Sequence, residues 1–177
     1  MRLALTGDEE ALVTLISRYR ESLHYFVAGM VNDTHLAEEI VIDAFTLMMR
    51  KGGQFRGDAS LKTYLFSIGR NLALRHIRYR RKVQIVLSEK LDMVVEESQI
   101  DGEILRHERD SALHAAMRSL REEYHAVLHL LYFEEMSYRE AGIVLEKSEK
   151  QISNLAFRAK LALKKALESE GFIDDHG

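Results

Sequence analysis

Apolar positions along this chain recur at intervals of three and four. That spacing turns one face of an α-helix inward at about 100° per residue. Leu12, Leu15, Ile16, Tyr19, Leu23, Phe26, Val27 and Met30 form one such stripe and predict a helix over 8–31. Asp33 suits a helix cap, and Leu36, Ile40, Ala44, Leu47 and Met48 predict a second helix over 34–50. Ile42, Phe45 and Met49 fall partly outside that second stripe. Those surplus residues need either a third helix or a partner to cover them. Gly52, Gly53 and Gly57 mark a loop over 52–58. A helix over 60–82 follows, with Ser60 as its cap and Leu61, Leu65, Ile68 and Leu72 inward.

Helical periodicity fades over 83–105. The segment is acidic, yet Val83, Ile85, Val86, Leu87, Leu91 and Met93 make it too apolar for a purely solvated tether. It reads as a linker that packs on something. Helices resume over 106–120 and 122–134. Ser137-Tyr138-Arg139-Glu140 and Ser148-Glu149-Lys150-Gln151 then give the pattern of a capping box twice, eleven residues apart. Between them lies a short helix with Ala141, Val144 and Leu145, closed by a Glu146-Lys147 turn. The second box opens a helix over 148–167 with Ile152, Leu155, Ala159, Leu163 and Ala166 inward. Short helix, turn and capped longer helix make the layout of a helix-turn-helix.

Charge sharpens this picture. The net charge of −3 divides into +4 for residues 1–82, −5 for 83–110 and −2 for 111–177. Arg70, Arg75, Arg78, Arg80, Arg81 and Lys82 end the third helix with no acid among them. Tyr64, Phe66 and Tyr79 are interleaved. Six uncompensated cations exceed what a helix C-terminus needs. Beside aromatic rings they suit phosphates and unstacked bases.

With no proline and only 10 glycines, the chain has few helix breakers. The lack of cysteine excludes disulfides and thiolate metal sites. No apolar run approaches the ~20 residues that span a bilayer, and no secretory pattern opens the chain. A cytoplasmic protein without membrane insertion is expected. Glu21/His24 and Glu122/His125 match the Glu-x-x-His spacing of di-iron bundles. On a helical wheel, however, both pairs, and His129 with the second, lie opposite the apolar stripes and are expected to point outward. No phosphate loop, nucleophile elbow or inward carboxylate pair is evident. No catalytic residue, metal site or cofactor is expected.

These segments resemble the extracytoplasmic-function sigma factors over about residues 7–168. Ala37-Glu38-Glu39-Ile40-Val41 and Asp43-Ala44-Phe45 are similar to the family's helix that grips the polymerase clamp. Phe55-Arg56-Gly57-Asp58 and Thr63-Tyr64-Leu65-Phe66-Ser67-Ile68-Gly69-Arg70-Asn71 resemble its promoter-melting segment. Leu130 to Ala141 and Phe157-Arg158-Ala159-Lys160 resemble its minus-thirty-five domain. The chain departs from the family at Ile42 (usually Gln), Tyr64 (often Trp), Arg121 (often Pro) and Glu146 (often Gly).

The resemblance implies an all-α protein of two small helical domains joined by an acidic linker. Residues 1–82 would bind polymerase and the minus-ten element, 83–105 would link, and 106–177 would bind the minus-thirty-five element. It implies contact of Glu38, Glu39, Val41, Ile42, Phe45 and Met49 with the beta-prime clamp helices of RNA polymerase core. Melted minus-ten DNA would meet Phe55, Arg56, Tyr64, Arg70, Asn71, Arg75 and Arg78. Duplex minus-thirty-five DNA would meet Lys150, Gln151, Ser153, Asn154, Phe157, Arg158 and Lys164. A chain of 177 residues leaves no room for a sensory domain, so the resemblance also implies control by an anti-sigma factor. A stand-alone helix-turn-helix regulator, or a helical adaptor with merely solvated basic patches, would share the helical pattern. Neither would need a basic, aromatic helix end.

Overall fold

The computed structural model describes residues 9–51, 59–91 and 108–169, and every regular element among them is helical. In chain order these are α1 (Glu9–Val31), α2 (Thr34–Arg50), α3 (Leu61–Leu91), α4 (Glu108–Ser119), α5 (Glu122–Leu128), α6 (Tyr138–Leu145) and α7 (Glu149–Ser169). A π-helical turn, His129–Phe133, continues α5. The helical class is therefore the one that the apolar periodicity predicts.

Side chains set the helix starts. The Asp33 carboxylate accepts from the Leu36 amide at 3.0 Å ahead of α2. Ser60 Oγ accepts from the Thr63 amide at 3.1 Å ahead of α3. Before α6 the Ser137 and Glu140 amides donate reciprocally to each other's side chains, at 3.0 and 3.2 Å. Ser148 and Gln151 repeat the arrangement before α7, at 2.8 and 3.3 Å. Each cap satisfies amides that no helical carbonyl reaches.

Between α6 and α7, Glu146 takes a left-handed conformation with φ 55° and ψ 45°. The turn is tight enough that a β-carbon on Gly142 would lie 2.6 Å from the Lys147 carbonyl oxygen. Glycine is required there by close approach of backbone, while Glu146 bears the strain that glycine would relieve.

Helices α1, α2 and α3 pack together around Leu23, Phe26, Val27, Ile40, Met48, Leu65 and Phe66. Helices α5, α6 and α7 enclose Val127, Leu130, Val144 and Ile152, with α4 laid on α7. The two groups are in contact, α1 against α5 and α3 against α6, so the buried residues form one continuous cluster.

Two differences from the sequence reading shape the site. Helix α3 does not end at 82 but runs to Leu91. No glycine or proline occurs between 70 and 101, so nothing in the backbone stops it. Val83, Ile85 and Val86 are therefore exposed on a helix rather than strung along a linker. The second difference concerns His125 and His129, which are both buried instead of facing outward. A wheel of α5 finds the face turned to α7, whereas its opposite face is covered by α1.

Candidate polymerase and nucleic-acid surfaces

On α2 the six candidate docking residues divide. Glu38, Glu39, Ile42 and Met49 are exposed, with Ile42 57% accessible. Val41 and Phe45 turn inward, Phe45 to 6%. This is a correction to the outward placement of Phe45: α2 packs on both α1 and α3, which widens the stripe it must bury. Arg20 of α1 donates a hydrogen bond to Glu38, and that bond and charge hold the Glu38 carboxyl below its ordinary value. The outward face of α2 is thus apolar at Ile42 and Met49 and acidic at Glu39.

Candidate residues on α3 separate into two faces. At about 100° per residue, Tyr64, Asn71, Arg75 and Arg78 fall along one side, where Asn71, Arg75 and Arg78 are exposed and Tyr64 is half-buried. Arg70 lies about 120° away on the same wheel. Its side chain is only 15% exposed and forms an ion pair with Glu146 at 3.5 Å. Its Nη1 has no hydrogen-bond partner among the described residues. Phe66 shares the side of Arg70 and is fully buried, 5.3 Å from the ring of Phe26. It is a core residue rather than a free stacking platform. Tyr79 is the interleaved aromatic that stays exposed. Phe55 and Arg56 lie outside the described residues.

On α7 the predicted face stands clear. Lys150, Gln151, Ser153, Asn154, Phe157, Arg158 and Lys164 are all exposed. Phe157 is 65% accessible, so it does not pack on the helix before it. Ile152, Leu155, Ala156 and Ala159 hold the opposite side in the core. Gln151 spends its side-chain oxygen on the Ser148 amide, which makes it a cap first. Arg158 Nε donates to the Asn154 carbonyl at a long 3.4 Å, leaving the rest of its fork outward. Lys164 reaches Glu168 at 3.4 Å on the surface, a pair worth little in water.

Sequence reasoning passed over one feature of this surface. Lys160 sits over the Tyr132 ring at 4.8 Å, and its hydrogen bond to the phenol raises the lysine above its ordinary value. A wheel of α7 alone places Lys160 outward but does not reveal Tyr132 beside it. Among the described residues no three His, Asp or Glu side chains come together to hold a metal ion. No described helix is long and apolar enough to cross a membrane.

A basic helix face and a capped helix-turn-helix in one chain are the two modules of a promoter-recognition factor of the sigma-70 type. Residues 15–83 match sigma-70 region 2, and residues 110–163 match sigma-70 region 4. The chain belongs to the extracytoplasmic-function RNA polymerase sigma factors. It is 26% identical over 175 residues to the RNA polymerase sigma-H factor of Pseudomonas aeruginosa, covering 92% of this chain and 89% of that one. It is 27% identical over 159 residues to the ECF sigma factor SigM of Bacillus subtilis, covering 89% and 94%. Among solved structures, the sigma factor RpoE in complex with the anti-sigma factor NepR from Bartonella quintana shares the fold. The TM-score is 0.73 at 21% identity, with coverage of 90% of this chain and 98% of RpoE. CnrH, solved with the cytosolic domain of CnrY, gives a TM-score of 0.66 at 21% identity and covers 94% of both chains.

Proposed function

We propose that this sigma factor binds RNA polymerase core through the outward face of α2, opens the minus-ten element with α3 and reads the minus-thirty-five element with α7. The observation that carries the reading is the exposed run Lys150, Asn154, Phe157 and Arg158, set up by two capped helix starts and a fixed turn. In a helix-turn-helix the first turns of the second helix enter the major groove. Glu39, Ile42 and Met49 supply the polymerase contact, with Val41 and Phe45 supporting them from the core. Tyr64, Asn71, Arg75 and Arg78 form the single-strand face, where aromatic stacking and phosphate contacts combine.

Residues 1–82 and 106–177 serve as the two binding modules and the segment between as their connection. The chain acts by binding in the cytoplasm and performs no catalysis. The similar RpoE and CnrH were solved with NepR and CnrY. By analogy an anti-sigma factor restrains this chain, seated on the exposed apolar residues of α2 or α7.

A gel shift with duplex promoter DNA, with and without core polymerase, tests the reading. A sequence-specific complex that forms only with core supports it. Tight specific binding without core would establish a stand-alone regulator instead. Asn71→Ala should still recruit polymerase but leave the minus-ten DNA unreactive to permanganate, and normal melting would remove Asn71 from the site.

A further inference from the structure

The contact between the two groups of helices is built on a histidine. The imidazole of His125 lies against Gly29 of α1 so closely that a β-carbon there would fall 2.0–2.3 Å from ring atoms. His125 is 5% exposed, and its Nδ1 has no hydrogen-bond partner among the described residues. His129, one turn later, is 5.9 Å from it and continues the stack to Phe26 at 5.7 Å. Three ion pairs cross this seam: Lys62 with Glu134 at 2.7 Å, Arg70 with Glu146 at 3.5 Å and Arg81 with Glu122 at 3.9 Å. Packing on one side of α3 therefore covers Arg70, one of the residues implied to meet melted DNA.

We propose that this docked arrangement is a resting state of the free protein, and that protonation of His125 separates the halves and uncovers Arg70. The regulatory part of the proposal rests on the sigma-factor reading of α3; the opening itself does not.

An imidazolium at this position would be buried without a counter-ion. Glu134 is engaged by Lys62 and His129, Glu122 by Arg81, Glu123 by Lys147 and Glu146 by Arg70. From α4 the facing group is His114, stacked on Tyr25 of α1. His24 of α1 is turned to the Thr34 carbonyl. Burial first, and then the neighbouring His129 and His114, bring the His125 imidazole down to about 3. In separated halves it returns to its ordinary value of about 6.5. The closed form is thus at full strength above that value. Below it, closure weakens roughly tenfold per pH unit, until the value of the buried ring is reached. Glu134 does not confound this window. Burial alone would raise its carboxyl, but the nearby Lys62 and His129 outweigh that and hold it below the ordinary value.

Because the chain has no cysteine, Ser17→Cys with Lys165→Cys gives two exposed positions for spin labels. Pulsed electron-resonance distances in the free chain at pH 7.5 should show a single, docked population. At pH 5.5 the ratio of separated to docked molecules should rise roughly tenfold, with far-UV helicity unchanged. His125→Leu, which cannot be protonated, should abolish the response. Gly29→Ala should separate the halves at both pH values while leaving α1 helical, since alanine favours a helix. An unchanged distance in the parent chain, or a pH response that survives His125→Leu, overturns the proposal. Loss of helicity together with the distance change overturns it in favour of unfolding. Failure of the parent chain to co-purify with polymerase core at pH 7.5 would instead remove the sigma-factor reading and leave the distances standing.

Discussion

The guanidinium of Arg70 ends 3.5 Å from the carboxylate of Glu146, the residue whose positive φ turns α6 into α7. One side chain thus serves both the seam and the strained turn, and the two roles can be separated. The Glu146 side chain is largely exposed, so the ion pair itself contributes little to stability. The left-handed backbone costs a residue other than glycine about 1 kcal/mol. In urea unfolding, Glu146→Gly is expected to stabilise the chain by about 1 kcal/mol. Glu146→Gln keeps the strain and should shift stability by less than about 0.5 kcal/mol. Equal effects of the two substitutions would show that the charge, not the turn, governs this position.

Ile42 and Phe45 lie three residues apart on α2 but have opposite environments. Phe45→Ala removes a buried ring and should cost about 3–5 kcal/mol, read as a lower unfolding midpoint. Ile42→Asp places a charge on a side chain already in water, so helicity and midpoint should hold. Co-purification with polymerase core should nonetheless be lost. An Ile42→Asp protein that still binds core would remove this face of α2 from the polymerase contact.

Much of the architecture was legible along the chain because its signals are local. Asp33, Ser60, Ser137 and Ser148 announce their helices, and each makes the capping bond its position suggests. The outward residues of α7 follow from periodicity alone. What was not legible depends on contacts distant in sequence. His125 and His129 look solvent-facing on α5 because the helix that covers them, α1, is about a hundred residues away in the chain. Arg70 looks like one more cation of a basic run until α6 is laid beside it. The extension of α3 was in principle readable, since no glycine or proline interrupts 70–101. The acidic composition of 83–105 as a whole pointed to a linker instead.

The Ser137–Glu140 box has a pH signature. Hydrogen bonds from the Ser137 amide and hydroxyl hold the Glu140 carboxyl below its ordinary value. A carboxylate lowered by folding adds stability above its unfolded value, which is lost as pH falls through the folded one. Ser137→Ala should cost about 1 kcal/mol at neutral pH. The gap between parent and variant should narrow as the solution is acidified below pH ~4.5. Urea midpoints measured at pH 7 and pH 4 give the comparison, and a gap independent of pH would deny the carboxylate its part in the cap.

Arg158 and Lys164 share the exposed side of α7 yet should behave differently on DNA. Arg158 lies about two and a half turns from the helix start, one turn beyond Asn154, and its side chain is exposed. Its guanidinium fork suits paired acceptors on guanine, as the Asn154 amide suits adenine. Exposed Phe157 between them can cover a thymine methyl. Lys164 is farther along and already pairs with Glu168, so on DNA it can exchange a weak surface pair for a phosphate. Arg158→Ala is expected to weaken binding by about 1–3 kcal/mol and to relax preference at one base pair. Lys164→Ala should weaken binding evenly across promoters and reduce the slope of affinity against salt by about one ion. Titrations of holoenzyme on cognate and scrambled minus-thirty-five elements, at two salt concentrations, separate these effects. If Arg158→Ala lowers affinity equally on both elements, α7 holds the duplex at that position without reading it.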